Sequence, residues 1–132
     1  MNGKDLAGER SRSPADLLPL TPAALNVLLA LADGERHGYA IMLEVRAITG
    51  GAVRLGPGTL YGAIKRLMAG GVIEEASERP DPGADDERRR YYRLTGFGGE
   101  VLAAEVARLD GLVRAARRKG AFPAPKPGPE GA

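Results

Sequence analysis

The feature that most restricts the fold of this chain is a change in the spacing of its apolar residues near residue 72. Before that point, three segments carry apolar residues at helical spacing, and each is followed by glycine. Thr21-Pro22 begins the first segment and Asp33-Gly34 ends it. The second runs from about Gly38 to Thr49, and the third begins near Pro57-Gly58-Thr59 and runs to Ala69. We therefore expect three short helices packed into one compact unit.

The same periodicity predicts which side chains these helices bury. In the second helix the buried stripe consists of Ile41, Val45 and Ile48. In the third helix it consists of Leu60, Ile64, Leu67 and Met68.

The residues after position 72 favour strands. Segments 72–76 and 89–94 are rich in β-branched or aromatic residues with polar residues between them, and Pro80-Asp81-Pro82-Gly83 is typical of a turn. These segments predict a two-stranded hairpin with a long polar loop. Thr95-Gly96 then begins a further helix that is expected to continue to about Lys119.

The last helix carries an apolar seam with intervals of four and three residues, formed by Leu102, Val106, Leu109, Val113 and Ala116. A helix from residue 96 to 119 would be about 35 Å long, which is more than a domain of this size can cover. The seam could pack only on the core of the same chain, but its distal half would then lack a covering surface, which a second copy of the chain would supply. The expected fold is mainly α (α+β): a winged helix-turn-helix with a two-stranded wing, plus a long C-terminal dimerisation helix.

These elements predict four regions along the chain. Residues 1–18 form a flexible N-terminal arm, and whether residues 13–20 form a short extra helix that joins the dimer interface stays open. Residues 19–95 form the winged helix-turn-helix domain and residues 96–119 the dimerisation helix. Residues 120–132, which alternate proline with small residues, form a disordered tail.

Composition excludes several classes of function. The 132 residues include no cysteine and a single histidine, so we expect no disulfide, no thiol nucleophile, no bound metal, no cofactor and no enzymatic activity. No apolar run is long enough for a membrane helix, so the chain is expected to be cytoplasmic without a membrane partner. The net charge of +2 does not by itself indicate that the chain binds nucleic acid. An argument for nucleic-acid binding therefore depends on where the charges lie.

The third helix and the hairpin carry the candidate DNA-binding residues. A helix in the major groove needs small residues for close approach, donors for base edges and cations for phosphates. Gly62 is the small residue, Thr59 and Tyr61 are the hydrogen-bond donors, and Lys65 and Arg66 are the cations. The remaining candidates are His37, Tyr39, Arg88, Arg89 and Arg90.

Each of these features also has a simpler interpretation. The third helix could be an ordinary amphipathic helix with a solvated lysine, and the hairpin a solvated ribbon in which arginines pair with the acidic loop residues. His37 could cap the second helix or contact a phosphate.

The chain resembles the PadR family of transcriptional regulators. The resemblance covers roughly three quarters of the chain and rests on ordered blocks: Leu20-Thr21-Pro22, His37-Gly38-Tyr39-Ala40-Ile41, Gly58-Thr59-Leu60-Tyr61, Arg66-Leu67, Gly71-Val72-Ile73-Glu74 and Arg89 to Thr95. It implies a homodimer with two winged-helix heads, DNA read by the third helix and the wing, and a C-terminal helix that builds the dimer. The single final helix is similar to the smaller subfamily. Some small members stack planar ligands on a tryptophan at the dimer interface, and this chain has no tryptophan.

The resulting hypothesis is a sequence-specific DNA-binding transcriptional regulator. It is expected to be a ligand- or stress-responsive repressor that binds a pseudo-palindromic operator as a homodimer, with a small apolar or aromatic molecule as a further partner. The alternative is a winged-helix protein–protein interaction module that does not bind DNA.

Overall fold

Four α-helices and a small sheet make up residues 12–76 and 90–122, which are the residues that the computed structural model describes. The helices are α1 (Pro22–Ala30), α2 (Gly38–Ile48), α3 (Pro57–Ala69) and α4 (Gly96–Arg118), and the strands are β1 (Arg36–His37), β2 (Ile73–Glu75) and β3 (Tyr91–Leu94). A 3-10 turn, Pro14–Leu17, precedes α1 and packs against α4. This arrangement confirms the predicted winged helix-turn-helix with a long last helix.

Local signals at the first residues explain where the helices begin. The side chains of Thr21, His37 and Thr95 each accept a hydrogen bond from a backbone N–H in the first turn of α1, α2 and α4, at 2.9–3.1 Å. No side chain caps α3, which begins instead at Pro57, whose ring already holds a helical φ. At the other end of α3, Gly71 has a φ of +74°, a conformation that favours glycine, and the chain turns there into β2.

The sheet has three antiparallel strands in the order β1–β3–β2, whereas the sequence predicted only two. The additional strand, β1, pairs Arg36 with Tyr92 and His37 with Tyr91. Two residues are too few for any alternation to be visible, so this strand could not be predicted from spacing. It joins the wing to the start of α2.

The core lies between α1, α2, α3, the sheet and the first half of α4. Its completely buried side chains are Val27, Leu28, Ala30, Ile41, Val45, Leu60 and Val101. Two predictions about the buried stripes are wrong, because Ile48 is 46% exposed and Met68 is 37% exposed. Met68 instead lies on the rim of a groove between α3 and the wing, and Ala63 is the further buried residue on α3.

The two halves of α4 differ in their surroundings. Val101, Leu102 and Glu105 are buried in the first half, whereas Val106 and Leu112 are 45% and 56% exposed. The apolar side of the helix therefore continues past the body of the protein. Among the described residues, no helix is both long and apolar enough to cross a membrane.

Candidate nucleic-acid interface

The side of α3 that faces away from the core is polar and accessible. Leu60, Ala63, Ile64 and Leu67 are buried against the other helices. Thr59, Tyr61, Lys65 and Arg66 are exposed on the remaining surface, with Gly62 half-buried among them. We call these five residues the polar face of α3. Free backbone N–H groups in the first turn add a partial positive charge at its amino end.

The position of Tyr61 depends on Gly38, the first residue of α2. A Cβ atom placed on Gly38 would lie 2.2 Å from the Tyr61 hydroxyl oxygen and 2.8 Å from Cζ. The phenol ring therefore lies directly on the α2 backbone, at a spot that only glycine leaves open. This contact fixes the ring while leaving 38% of the side chain accessible.

A groove separates α3 from the wing. It has a volume of about 580 Å³, and its rim includes Tyr61, Lys65, Met68, Glu75 and Arg90. We call it the α3–wing groove. The Nη1 atom of Arg90 lies 3.2 Å from the Glu75 carboxylate, so the charge of this guanidinium is partly neutralised. Within residues 12–76 and 90–122, Lys65 forms no ion pair.

The arginines predicted at the wing have different surroundings. Arg90 borders the groove, while Arg88 and Arg89 lie outside the described residues, as does the predicted Pro80–Gly83 turn. Arg93 pairs with Glu74 at 2.8 Å and with Glu35 at 3.6 Å. Its positive charge is therefore balanced by two carboxylates of the same chain.

His37 and Tyr39 lie at the start of α2. The Nδ1 atom of His37 accepts the Ala40 N–H at 3.1 Å, and its ring meets the Tyr91 ring edge-on with centroids 5.3 Å apart. The structure therefore gives His37 the capping role that the sequence left open. Tyr39 is 59% exposed. It directly follows Gly38, the residue at the start of α2 on which the Tyr61 ring packs.

Arg66 lies at the opposite edge of α3 from the groove. It borders a second cavity of about 200 Å³ between α1, α3 and the segment before α1. Leu17, Leu20 and Ala24 are among the apolar residues that line it, and Arg12 lies at its mouth. The polar face of α3 thus extends from the wing to this cavity.

The predicted seam on α4 divides at the point where the helix leaves the body. Leu102 is only 8% exposed and belongs to the chain's own core. Val106 is exposed, and Leu109, Val113 and Ala116 are half-buried. The exposed Leu112 lies on the same side of the helix, but it falls between the seam positions and was not predicted.

Two further residues were missed in the sequence. Met68 is seven positions after Tyr61, so helical periodicity alone could have placed both on one face. Glu105 stands in the middle of the apolar side of α4, and a carboxylate at that position was the available signal. No group of three or more histidine, aspartate or glutamate side chains in the described part of the chain could hold a metal ion.

Comparison with known proteins places this geometry in a family. Residues 27–104 match the transcriptional regulator PadR-like family. The transcriptional regulator Rv3488 of Mycobacterium tuberculosis is 34% identical over 90 residues, which cover 68% of this chain and 78% of that protein. An uncharacterised 37.1 kDa protein in transposon TN4556 of Streptomyces fradiae is 44% identical over 94 residues, or 69% of this chain, but the match spans only 25% of that protein.

Solved structures share the fold. A PadR family transcription regulator from Clostridium difficile superposes with a TM-score of 0.62 at 24% identity, covering 74% of this chain and 97% of the other. A transcriptional regulator from Clostridium thermocellum has a TM-score of 0.60 at 24% identity, with coverages of 73% and 87%. Members of the matched family are regulators of transcription rather than enzymes. The chain belongs to the PadR-like family of transcriptional regulators.

Proposed function

We propose that this regulator is a cytoplasmic, sequence-specific repressor that binds a pseudo-palindromic operator as a homodimer. The observation that carries the proposal is the continuous accessible surface formed by the polar face of α3 and the α3–wing groove. A two-fold dimer presents two such surfaces to successive major grooves, about 34–36 Å apart. Repression is then steric, because the bound dimer covers the promoter.

Each candidate residue has a role in this proposal. Lys65, Arg66 and the wing arginines Arg88, Arg89 and Arg90 neutralise phosphates and release counterions. Thr59 and Tyr61 donate hydrogen bonds to base edges or phosphates, and Gly62 allows α3 to approach closely. Tyr39 and His37, at the start of α2, contact the sugar–phosphate backbone of the DNA beside the major groove.

The salt dependence of DNA binding tests this assignment. Lys65→Ala and Arg90→Ala are expected to weaken binding to operator and random DNA alike, and each should reduce the slope of log Kd against log salt by about one charge per half-site. Arg114→Ala is the matched control, since Arg114 is an exposed arginine on α4 that pairs with Asp110. Unchanged slopes in both test variants would contradict the assignment.

A gel shift with DNA from upstream of the chain's own gene separates the two classes of function. A shift that survives competition by random DNA supports the repressor. The alternative, a winged-helix module that binds another protein, predicts no shift at low salt, where electrostatic affinity for DNA is greatest.

The homodimer is proposed to form through the distal half of α4. Val106, Leu109, Val113 and Ala116 lie on the side of the helix that continues beyond the core, and Leu112 extends it. Residues 96–119 then act as the dimerisation helix attached to a winged-helix head that begins near residue 19.

Sedimentation at micromolar concentration tests the dimer. Leu109→Asp is expected to give a monomer, because an aspartate would be buried without a partner. Ala107→Asp adds the same charge two residues away, on the opposite side of α4, and is expected to leave the dimer intact. Equal behaviour of the two variants would contradict the proposed interface.

A small apolar or aromatic effector is the remaining part of the proposal. The cavity of about 200 Å³ beside Leu17, Leu20 and Ala24 is a suitable volume for it, next to α3. Ala24→Leu would fill this cavity, and it is expected to abolish effector response while leaving operator affinity within about twofold. An effector response that survives this substitution would place the effector elsewhere.

A further inference from the structure

Glu105 marks the place where α4 leaves the body of the protein. Its side chain is 1% exposed, and it is the last buried residue of the helix. The next residue, Val106, is already 45% exposed. The last fully buried contact between α4 and the head is therefore made at Glu105.

The carboxylate of Glu105 has two partners, one just before α1 and one on α4 itself. Its Oε2 accepts the backbone N–H of Leu20 at 3.0 Å, across 85 residues of sequence. Nε and Nη2 of Arg108 donate to Oε1 and Oε2 at 2.6 and 3.0 Å. Leu20 directly precedes Thr21, the residue that caps α1, so the carboxylate joins α4 to the start of the winged-helix head.

A buried carboxylate is an unusual choice for this position. Burial of a charge is costly unless hydrogen bonds satisfy it, and a leucine would fill the same space without that cost. What the carboxylate adds is direction. The Arg108 donors lie on the same helix and hold the carboxylate in one orientation. The bond between that carboxylate and the Leu20 N–H holds only within narrow limits of angle, so it restrains the direction of α4 relative to the head. An apolar contact would allow the helix to tilt.

We propose that Glu105 is a positioning residue that sets the angle between α4 and the winged-helix head, and thereby the half-site spacing that the dimer recognises. This inference rests on the proposed dimer. Thirteen residues separate Glu105 from the end of α4, which corresponds to a lever of about 20 Å. A tilt of about 10° at Glu105 would move the far end by about 3.4 Å, and that is about one base-pair step along DNA.

Binding to operators with altered spacing tests the inference. Operators are built with the native spacing and with one base pair inserted or removed between the half-sites. Wild-type protein is expected to prefer the native spacing by at least tenfold. Glu105→Gln, which keeps the shape but loses the charge, is expected to lower affinity for the native spacing and reduce this preference to threefold or less.

Matched variants separate positioning from general stability. Glu100→Gln makes the same change at an exposed position of α4 and is expected to keep the full preference. Arg108→Met removes the guanidinium from a side chain that is 37% exposed, so it is expected to fold even if Glu105→Gln does not, and to flatten the preference similarly. If these variants weaken all spacings by the same factor, Glu105 has only a structural role and the inference is wrong.

The distance between the two heads provides an independent readout. The chain has no cysteine, so Ala47→Cys places one spin label on the exposed side of α2 in each protomer. The label-to-label distance distribution is expected to broaden or shift by several ångströms in Glu105→Gln, and to stay unchanged in Glu100→Gln. An identical distribution in both would overturn the inference, whereas a wild-type protein that gives no label-to-label distance and no operator binding would instead refute the proposed function.

Discussion

Replacement of Gly38 by alanine tests the link between the packing of this protein and its proposed contact with DNA. The added Cβ would lie 2.2 Å from the Tyr61 hydroxyl oxygen and 2.8 Å from Cζ, so the phenol ring must move by about 1 Å or more to reach ordinary contact. These atoms are at the far end of a rotatable side chain. The ring is therefore expected to swing away while the two helix backbones keep their positions.

The expected effect on stability is small. Overpacking costs about 1–3 kcal/mol when the surroundings cannot adjust, but here a half-exposed ring can rotate. Alanine in place of glycine at the first helical residue returns up to about 1 kcal/mol. The free energy of unfolding of Gly38→Ala is therefore expected to stay within about 1 kcal/mol of the wild type.

The expected effect on DNA binding is larger. A hydrogen bond from the Tyr61 hydroxyl to a phosphate would contribute about 1.5–3 kcal/mol, because its acceptor is charged. Loss of that bond corresponds to at least tenfold weaker operator binding per half-site. Fluorescence anisotropy with labelled operator measures this change, and thermal unfolding of the same samples measures stability.

A double-mutant cycle assigns the effect to Tyr61. In a Tyr61→Ala background there is no ring to displace, so Gly38→Ala is expected to have no further effect on operator affinity. Gly96→Ala is the matched control, since Gly96 is also the first residue of a helix after a capping side chain and has open space around it. Full operator affinity in Gly38→Ala, or an equal loss of affinity in both backgrounds, would show that the Tyr61 ring does not link Gly38 to DNA binding.

Two further predictions concern stability. A Cβ on Gly98 would lie 1.9 Å from the backbone oxygen of Val72, which cannot rotate away, so Gly98→Ala is expected to lower the free energy of unfolding by about 3 kcal/mol. Gly99 has open space around it, so Gly99→Ala is expected to leave the free energy of unfolding unchanged. Similar denaturant midpoints for the two variants would contradict this prediction. The hydrogen bonds from Arg108 lower the pKa of Glu105 in the folded protein below its ordinary value. The stability that this carboxylate contributes is therefore fully present above its pKa in the unfolded chain, and it is lost as the pH falls through the lower pKa of the folded protein. Glu105→Gln is expected to remove this part of the acid dependence of the free energy of unfolding, measured from pH 7 to pH 2.

Much of the local structure was predictable because its signals lie close together in the sequence. The third helix is predicted to begin near Pro57-Gly58-Thr59 and to run to Ala69, and it spans Pro57–Ala69, since a proline begins it and glycines follow it. The last helix was predicted to run from residue 96 to 119 and ends at Arg118. The polar face of α3 also follows from sequence, because helical periodicity decides which residues share a side.

Local signals in the sequence are therefore enough to predict the order of elements, the fold class and the face of α3 that is proposed to meet DNA. Tertiary packing, in contrast, places the Tyr61 ring on Gly38, adds Arg36–His37 as a third strand and buries Glu105 against Leu20. These two groups of features differ in the sequence distance over which their interactions act. Capping, turns and periodicity act over a few residues, whereas burial and pairing depend on segments that are distant in sequence and meet only when the chain has folded.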